Sequence, residues 1–143
     1  MKTENKCFDL KPNQLKPLKK GDKLREVFEE QINLQERLGM MALYRKVSLK
    51  RKTEFVKDNI IHLGAELTEM LERLPFKHWK KYSKEFESDW ESDEQRTETL
   101  FEYIDALHFF LNIGIILGFS IEEIYYYYMA KNKENHGRQD RGY

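Results

Sequence analysis

The sequence predicts a single all-α domain, a bundle of four to five helices. Three observations lead there. Charged residues make up 35% and hydrophobic ones 40% of the 143-residue chain, with only 7 glycines and 3 prolines, a balance that favours a helix-rich globular protein over a disordered or loop-rich one. Apolar residues recur three and four apart through most of the chain, the spacing of one helix face. Helix punctuation is also present: Asp22 precedes the first apolar stripe, Gly118 follows the longest, and Ser120 precedes the last.

The same composition excludes several function classes. One domain is the prior at this length, and a multidomain enzyme is excluded. Lysine plus arginine (25) balances aspartate plus glutamate (25), so no global positive field draws in nucleic acid. The single cysteine, Cys7, allows no internal disulfide, and no apolar signal core follows the first lysines; a cytoplasmic setting is expected. The longest apolar run, 109–119, is interrupted by Asn112 and is shorter than the roughly 20 residues that span a bilayer, so no membrane segment is expected.

Residues 1–21, with six lysines, Pro12 and Pro17, read as a basic, solvated arm. The domain proper is 22–143. Its first helix starts at the N-cap Asp22 and carries Leu24, Val27, Phe28, Leu34 and Leu38 on one face. Gln31 and Gln35 fall within about 20° of the centre of that stripe. An amide buried without a partner costs on the order of 1–3 kcal/mol, so these two must meet other polar atoms or a ligand. A second helix, 53–74, has an apolar side from Val56 to Leu74, and its other side holds His62, Glu66 and Glu69. After Pro75, the stretch Phe76-Lys77-His78-Trp79-Lys80-Lys81-Tyr82 mixes rings with cations, as nucleotide binding requires. The acidic run that follows reads as a solvated loop.

The third helix, 97–117, is apolar nearly all round except for one seam of Glu98, Glu102, Asp105, His108 and Asn112. Such a helix is buried on several sides, in a bundle or against a second subunit. Carboxylates on it need a compensating cation, because isolated buried charge is too costly for one domain. The last helix, 120–135, opens with a capping box at Ser120 and Glu123, and Lys131, Asn132, Asn135 and Arg138 follow its apolar residues.

If the second and third helices pack antiparallel, the pairs Glu66/Glu69 and Glu102/Asp105 form one cluster of hard oxygen ligands. Such a cluster selects Mg²⁺, or Mn²⁺ in its place, over zinc. Mg²⁺ bound this way keeps open positions for water and phosphate oxygens, which suits hydrolysis of a nucleoside polyphosphate with one carboxylate as general base.

These residues resemble the dimeric all-alpha dUTPases, relatives of the MazG-like nucleotide pyrophosphohydrolases. The resemblance covers roughly 24–143. It is carried by Phe28-Glu29-Glu30-Gln31-Ile32-Asn33-Leu34-Gln35, similar to the family's Gln-x-x-Leu-Asn/Asp uracil motif, by Glu66-Leu67-Thr68-Glu69, by Phe76-Lys77-His78-Trp79-Lys80, by Glu102-Tyr103-Ile104-Asp105, and by the stretch from Lys131 to Tyr143. It implies cleavage of dUTP, and dUDP, to dUMP by a homodimer or larger assembly, with Mg²⁺ held by Glu66, Glu69, Glu102 and Asp105 and Glu66 as the base. It also implies that Gln31 and Trp79 face uracil, with Gln35 beside them, while Lys80, Lys131, Asn132, Asn135 and Arg138 lie near phosphates or sugar. Glu98 and His108 are possible additions. Gln35 stands where the family has Asn or Asp, which leaves dCTP as an alternative substrate. Two readings from other classes stay open. A di-iron bundle would use Glu-x-x-His pairs, of which Asp105 and His108 supply only half a pattern, and His108 is expected to be a buried, satisfied imidazole. The other is a non-catalytic helical interaction module.

Overall fold

The computed structural model describes residues 21–142. The order is α1 (Lys23–Arg37), α2 (Met40–Lys46), α3 (Leu49–Glu72), α4 (Lys84–Ser88), α5 (Asp93–Leu117) and α6 (Ile121–Asp140), with no strand among the described residues. The all-α architecture therefore stands, with four long helices and two short ones. The basic arm lies outside the described residues except for Gly21.

The capping expectations hold in atomic detail. The Asp22 side chain accepts from Arg25 N. Ser120 and Glu123 form the reciprocal capping box, and Gly118 ends α5 in the left-handed region at φ 79°. Helices α3 and α5 start earlier than their apolar stripes do, because Ser48 and Ser92 cap the amides of Arg51 and Gln95 and the first turns are charged rather than apolar. Two short helices escape the periodicity argument. In α2, which follows Gly39 at φ 74°, only Met41 and Tyr44 are buried, too few to display a period. In α4, Ser83 caps one turn of the acidic run.

The central pair is α3 with α5, and side-chain contacts give its direction. From Arg73 back through Glu66 and His62 to Asn59, the partners on the other helix advance from Glu98 and Glu102 through Asp105 and Phe109 to Asn112. The two helices are antiparallel, as the carboxylate argument required. The apolar core sits at one end of this pair, where Phe28, Met41, Tyr44, Leu111, Ile115, Ile116 and Ile121 pack together and Ile116 is fully enclosed. Helix α3 has no buried residue of its own.

Near its start helix α6 is fastened by Ile121 and Ile124 against the core and by an ion pair between Arg25 and Glu122. From Tyr125 to Asp140 every residue except Gly137 is exposed. Helix α5 also differs from expectation: one side is buried, while Tyr103 and Phe110 are 56% and 62% exposed. By length and composition alone α5 could cross a membrane, and its polar seam lies against α3.

Candidate active site

The seam of α5 faces the polar side of α3, and this brings carboxylates together. One oxygen from each of Glu66, Glu102 and Asp105 lies within 4.8 Å of the others. Glu102 is 9% exposed. The Glu66 carboxyl is pushed above its ordinary range, first by desolvation and then by the charges of Glu69, Asp105 and Glu102, with His62 pulling the other way. Glu69, one turn on, is exposed and stands outside the three-carboxylate group, yet its charge is felt by Glu66. Crowded like charges that raise a proton affinity are what a divalent cation relieves, so the donor set fits Mg²⁺ or Mn²⁺.

A second answer to the buried charge comes from within the chain. Arg73, just past α3, donates from Nε (2.9 Å) and Nη2 (2.7 Å) to Glu102 Oε1 and from Nη1 (2.7 Å) to Glu98 Oε2. Among the described residues no hydrogen bond reaches Glu102 Oε2. Glu98 is thus a partner of Arg73 rather than a member of the cluster. Sequence reasoning asked for a cation here but did not name Arg73, because nothing in its local pattern shows that the helix end curls back over the seam.

Beside the cluster is a cavity of about 430 Å³ lined by Glu26, Glu30, Gln31, Leu107, His108 and Leu111, among others. His108 links the two, with Nδ1 3.6 Å from Asp105 Oδ1. Its side chain is 49% exposed, so it is not the buried imidazole expected from an apolar helix; it stands on the open side of α5. Gln31 is 4% exposed and donates from Nε2 to Asn112 Oδ1 at 2.7 Å. Gln35, also buried, accepts from the Tyr44 hydroxyl at 3.3 Å and does not line this cavity.

The remaining candidates lie elsewhere. Trp79 is 71% exposed, edge-on to His78. Lys80 lies over the Tyr82 ring and borders a separate cavity of about 390 Å³ with Arg73, Lys77 and Gln95. Lys131, Asn132, Asn135 and Arg138 are all on the exposed part of α6, where Arg138 pairs with Glu134.

Comparison with known proteins adds to this geometry. The sequence model of the dUTPase family matches residues 23–117 and 110–143. The dCTP pyrophosphatase of Enterobacteria phage LZ5 is 49% identical over 71 residues, covering 48% of this chain and 41% of that protein. The dCTP pyrophosphatase of Enterobacteria phage T4 is 35% identical over 103 residues, covering 66% of this chain and 60% of that protein. The chain thus spans about half the length of these relatives. No solved structure matches.

Proposed function

The chain belongs to the dUTPase family, and from that premise we propose that it is a Mg²⁺-dependent pyrophosphohydrolase, cleaving a deoxypyrimidine triphosphate to monophosphate and pyrophosphate. The observation that carries this reading is the three-carboxylate group of Glu66, Glu102 and Asp105 opening beside a cavity with a buried amide, Gln31, in its wall. The family's name points to dUTP and the names of both phage relatives point to dCTP.

In this reading Glu66, Glu102 and Asp105 would hold the cation, with Glu69, exposed one turn on, as a further ligand. When bound, Mg²⁺ screens the phosphate charge and orients the attacking water. Glu66, at the centre of the carboxylate group, would serve as the general base toward a water beside it. Arg73 holds the Glu102 carboxylate in place through their ion pair, so the cluster does not have to organise during the reaction. Gln31 holds the base, and the low polarity around Leu107 and Leu111 excludes competing water from it.

The phosphate-binding role of Lys131, Asn132, Asn135 and Arg138 requires a second copy of the chain. They lie on an exposed stretch of α6, and Tyr103, Phe110 and Tyr125 to Met129 present exposed apolar surface of the kind that a subunit contact covers. A homodimer in which α6 of one protomer reaches the cluster of the other meets both needs. Incubation with each common nucleoside triphosphate, with and without Mg²⁺, tests the activity by the appearance of pyrophosphate and monophosphate. Light scattering at micromolar concentration tests the dimer. No metal-dependent turnover of any deoxynucleotide would refute the enzymatic reading and favour an interaction module.

A further inference from the structure

The buried amide of Gln31 is the end of a chain of three amides, and that chain has a direction. Its anchor is a backbone carbonyl, which can only accept: Asn59 Nδ2 donates to Phe55 O at 2.8 Å. This commits Asn59 Oδ1 to accepting, and it takes a bond from Asn112 Nδ2 at 3.3 Å. Asn112 must then present its own oxygen, which accepts from Gln31 Nε2 at 2.7 Å. Flipping any one of the three would set two oxygens or two amino groups face to face. The Gln31 nitrogen is therefore turned into the helix interface, and Oε1 is left without a hydrogen-bond partner among the described residues. Gln95 Oε1 is the one fully enclosed side-chain polar atom lacking a partner among those residues, so Gln31 Oε1 keeps some accessible surface, and Gln31 is one of the residues that line the cavity.

Of the polar residues that α1 contributes to this cavity, Glu26 is engaged by Lys23 through both carboxylate oxygens and Glu30 by Asn33, which leaves Gln31 Oε1 as the amide acceptor without a partner. We propose that Asn59 and Asn112 set the base preference of the site, holding Gln31 oxygen-outward so that it selects cytosine, through its exocyclic amino group, over uracil. The inference rests on the reading of this cavity as the base pocket. Cytosine projects an N–H₂ that can meet this acceptor. Uracil's N3–H is flanked by two carbonyl oxygens, and bringing it to the Gln31 oxygen sets those lone pairs beside the acceptor's own. Discrimination built on groups left unpaired is larger than discrimination by shape. Asn112 and Asn59 are positioning residues here, and Asn59 does not border the cavity at all.

The test compares kcat/KM for dCTP and dUTP, and in parallel the calorimetric binding of dCMP and dUMP, in the native protein, Asn112→Ala and Asn59→Ala, with folding checked by circular dichroism. The native protein should favour cytosine by about tenfold or more, and both variants should shrink that ratio to within about threefold. A merely structural role would lower thermal stability and both substrates alike, with the ratio unchanged. A native preference for uracil, or a cytosine preference that survives in either folded variant, overturns the proposal. If Asn112→Ala fails to fold, Asn59→Ala decides. Absence of all hydrolysis with a relay-dependent preference for dCMP refutes the enzymatic reading alone, whereas hydrolysis with an unchanged ratio refutes the relay alone.

Discussion

Replacing Arg73 by methionine keeps the side chain's apolar reach and removes three charged contacts. The contact to Glu98 joins side chains that are 36% and 33% exposed; exposed pairs are worth about 0.2–1 kcal/mol. Glu102 is different, with its side chain 11% exposed and one oxygen accepting two bonds from the guanidinium. Taking away one partner of a fully buried pair costs about 3–5 kcal/mol, and the partial exposure of Arg73 reduces that. Arg73→Met should therefore cost about 2–3 kcal/mol in the absence of metal. For a domain of this size each kcal/mol moves Tm by about 3–4 °C, so thermal unfolding in EDTA should shift down by about 6–12 °C. A cycle with Glu102→Gln isolates the pair, because the double variant no longer buries an unpaired charge; a coupling of about 1–2 kcal/mol is expected. Mg²⁺ should restore more stability to Arg73→Met than it adds to the native protein, since the cation neutralises the same carboxylate. A Tm within 2 °C of the native value, or strict additivity with Glu102→Gln, would show that Arg73 does not compensate the seam.

Glu66→Gln should abolish turnover and raise the metal-free Tm. Because the folded-state proton affinity of Glu66 is raised above its ordinary value of 4.5, its ionisation opposes folding: the penalty is present at neutral pH, shrinks as pH falls through the raised value and vanishes below the unfolded one. The Tm difference between Glu66→Gln and the native protein should accordingly narrow as pH is lowered, and a constant difference would count against the crowding argument. Asp105→Asn and Glu69→Gln should each eliminate Mg²⁺-dependent hydrolysis with the helical circular dichroism unchanged; normal activity in Glu69→Gln would confine the metal set to three carboxylates. Gln31→Ala should cost on the order of 1–3 kcal/mol in kcat/KM, while Gln35→Ala, which loses the Tyr44 bond, should lower Tm and leave the ratio of dCTP to dUTP hydrolysis unchanged.

How much of this could be read from the residues depended on range. The four long helices were legible because Asp22, Gly118 and Ser120 act on their own neighbours and the stripes from Leu24 and Val56 repeat often enough to fix a period. The meeting of Glu66 with Glu102 and Asp105 was legible too, since two seams of like charge on adjacent helices have few other arrangements. Arg73 was not, because its partners lie 25 and 29 positions away and its place at the end of the second helix's apolar side gives no sign of them. The fate of the two glutamines illustrates the same limit. They share one face of α1, yet Gln31 meets Asn112 and Gln35 meets Tyr44, and only the second helix in each case decides which amide borders a cavity.

The one-sided core has a dynamic consequence. Burial is concentrated around Ile116, at the end of the α3–α5 pair where Phe28, Met41 and Tyr44 converge, while α3 itself buries nothing fully. Openings that expose backbone amides should therefore begin at the carboxylate end and rarely reach the Ile116 end. In deuterium exchange, the amides of α3 around Glu66 should exchange sooner than those near Phe55, and a cation that ties α3 to α5 should slow exchange most at the loose end. Binding energy would then be spent partly on stiffening half of the helix pair, so metal affinity and local breathing are two readings of one equilibrium.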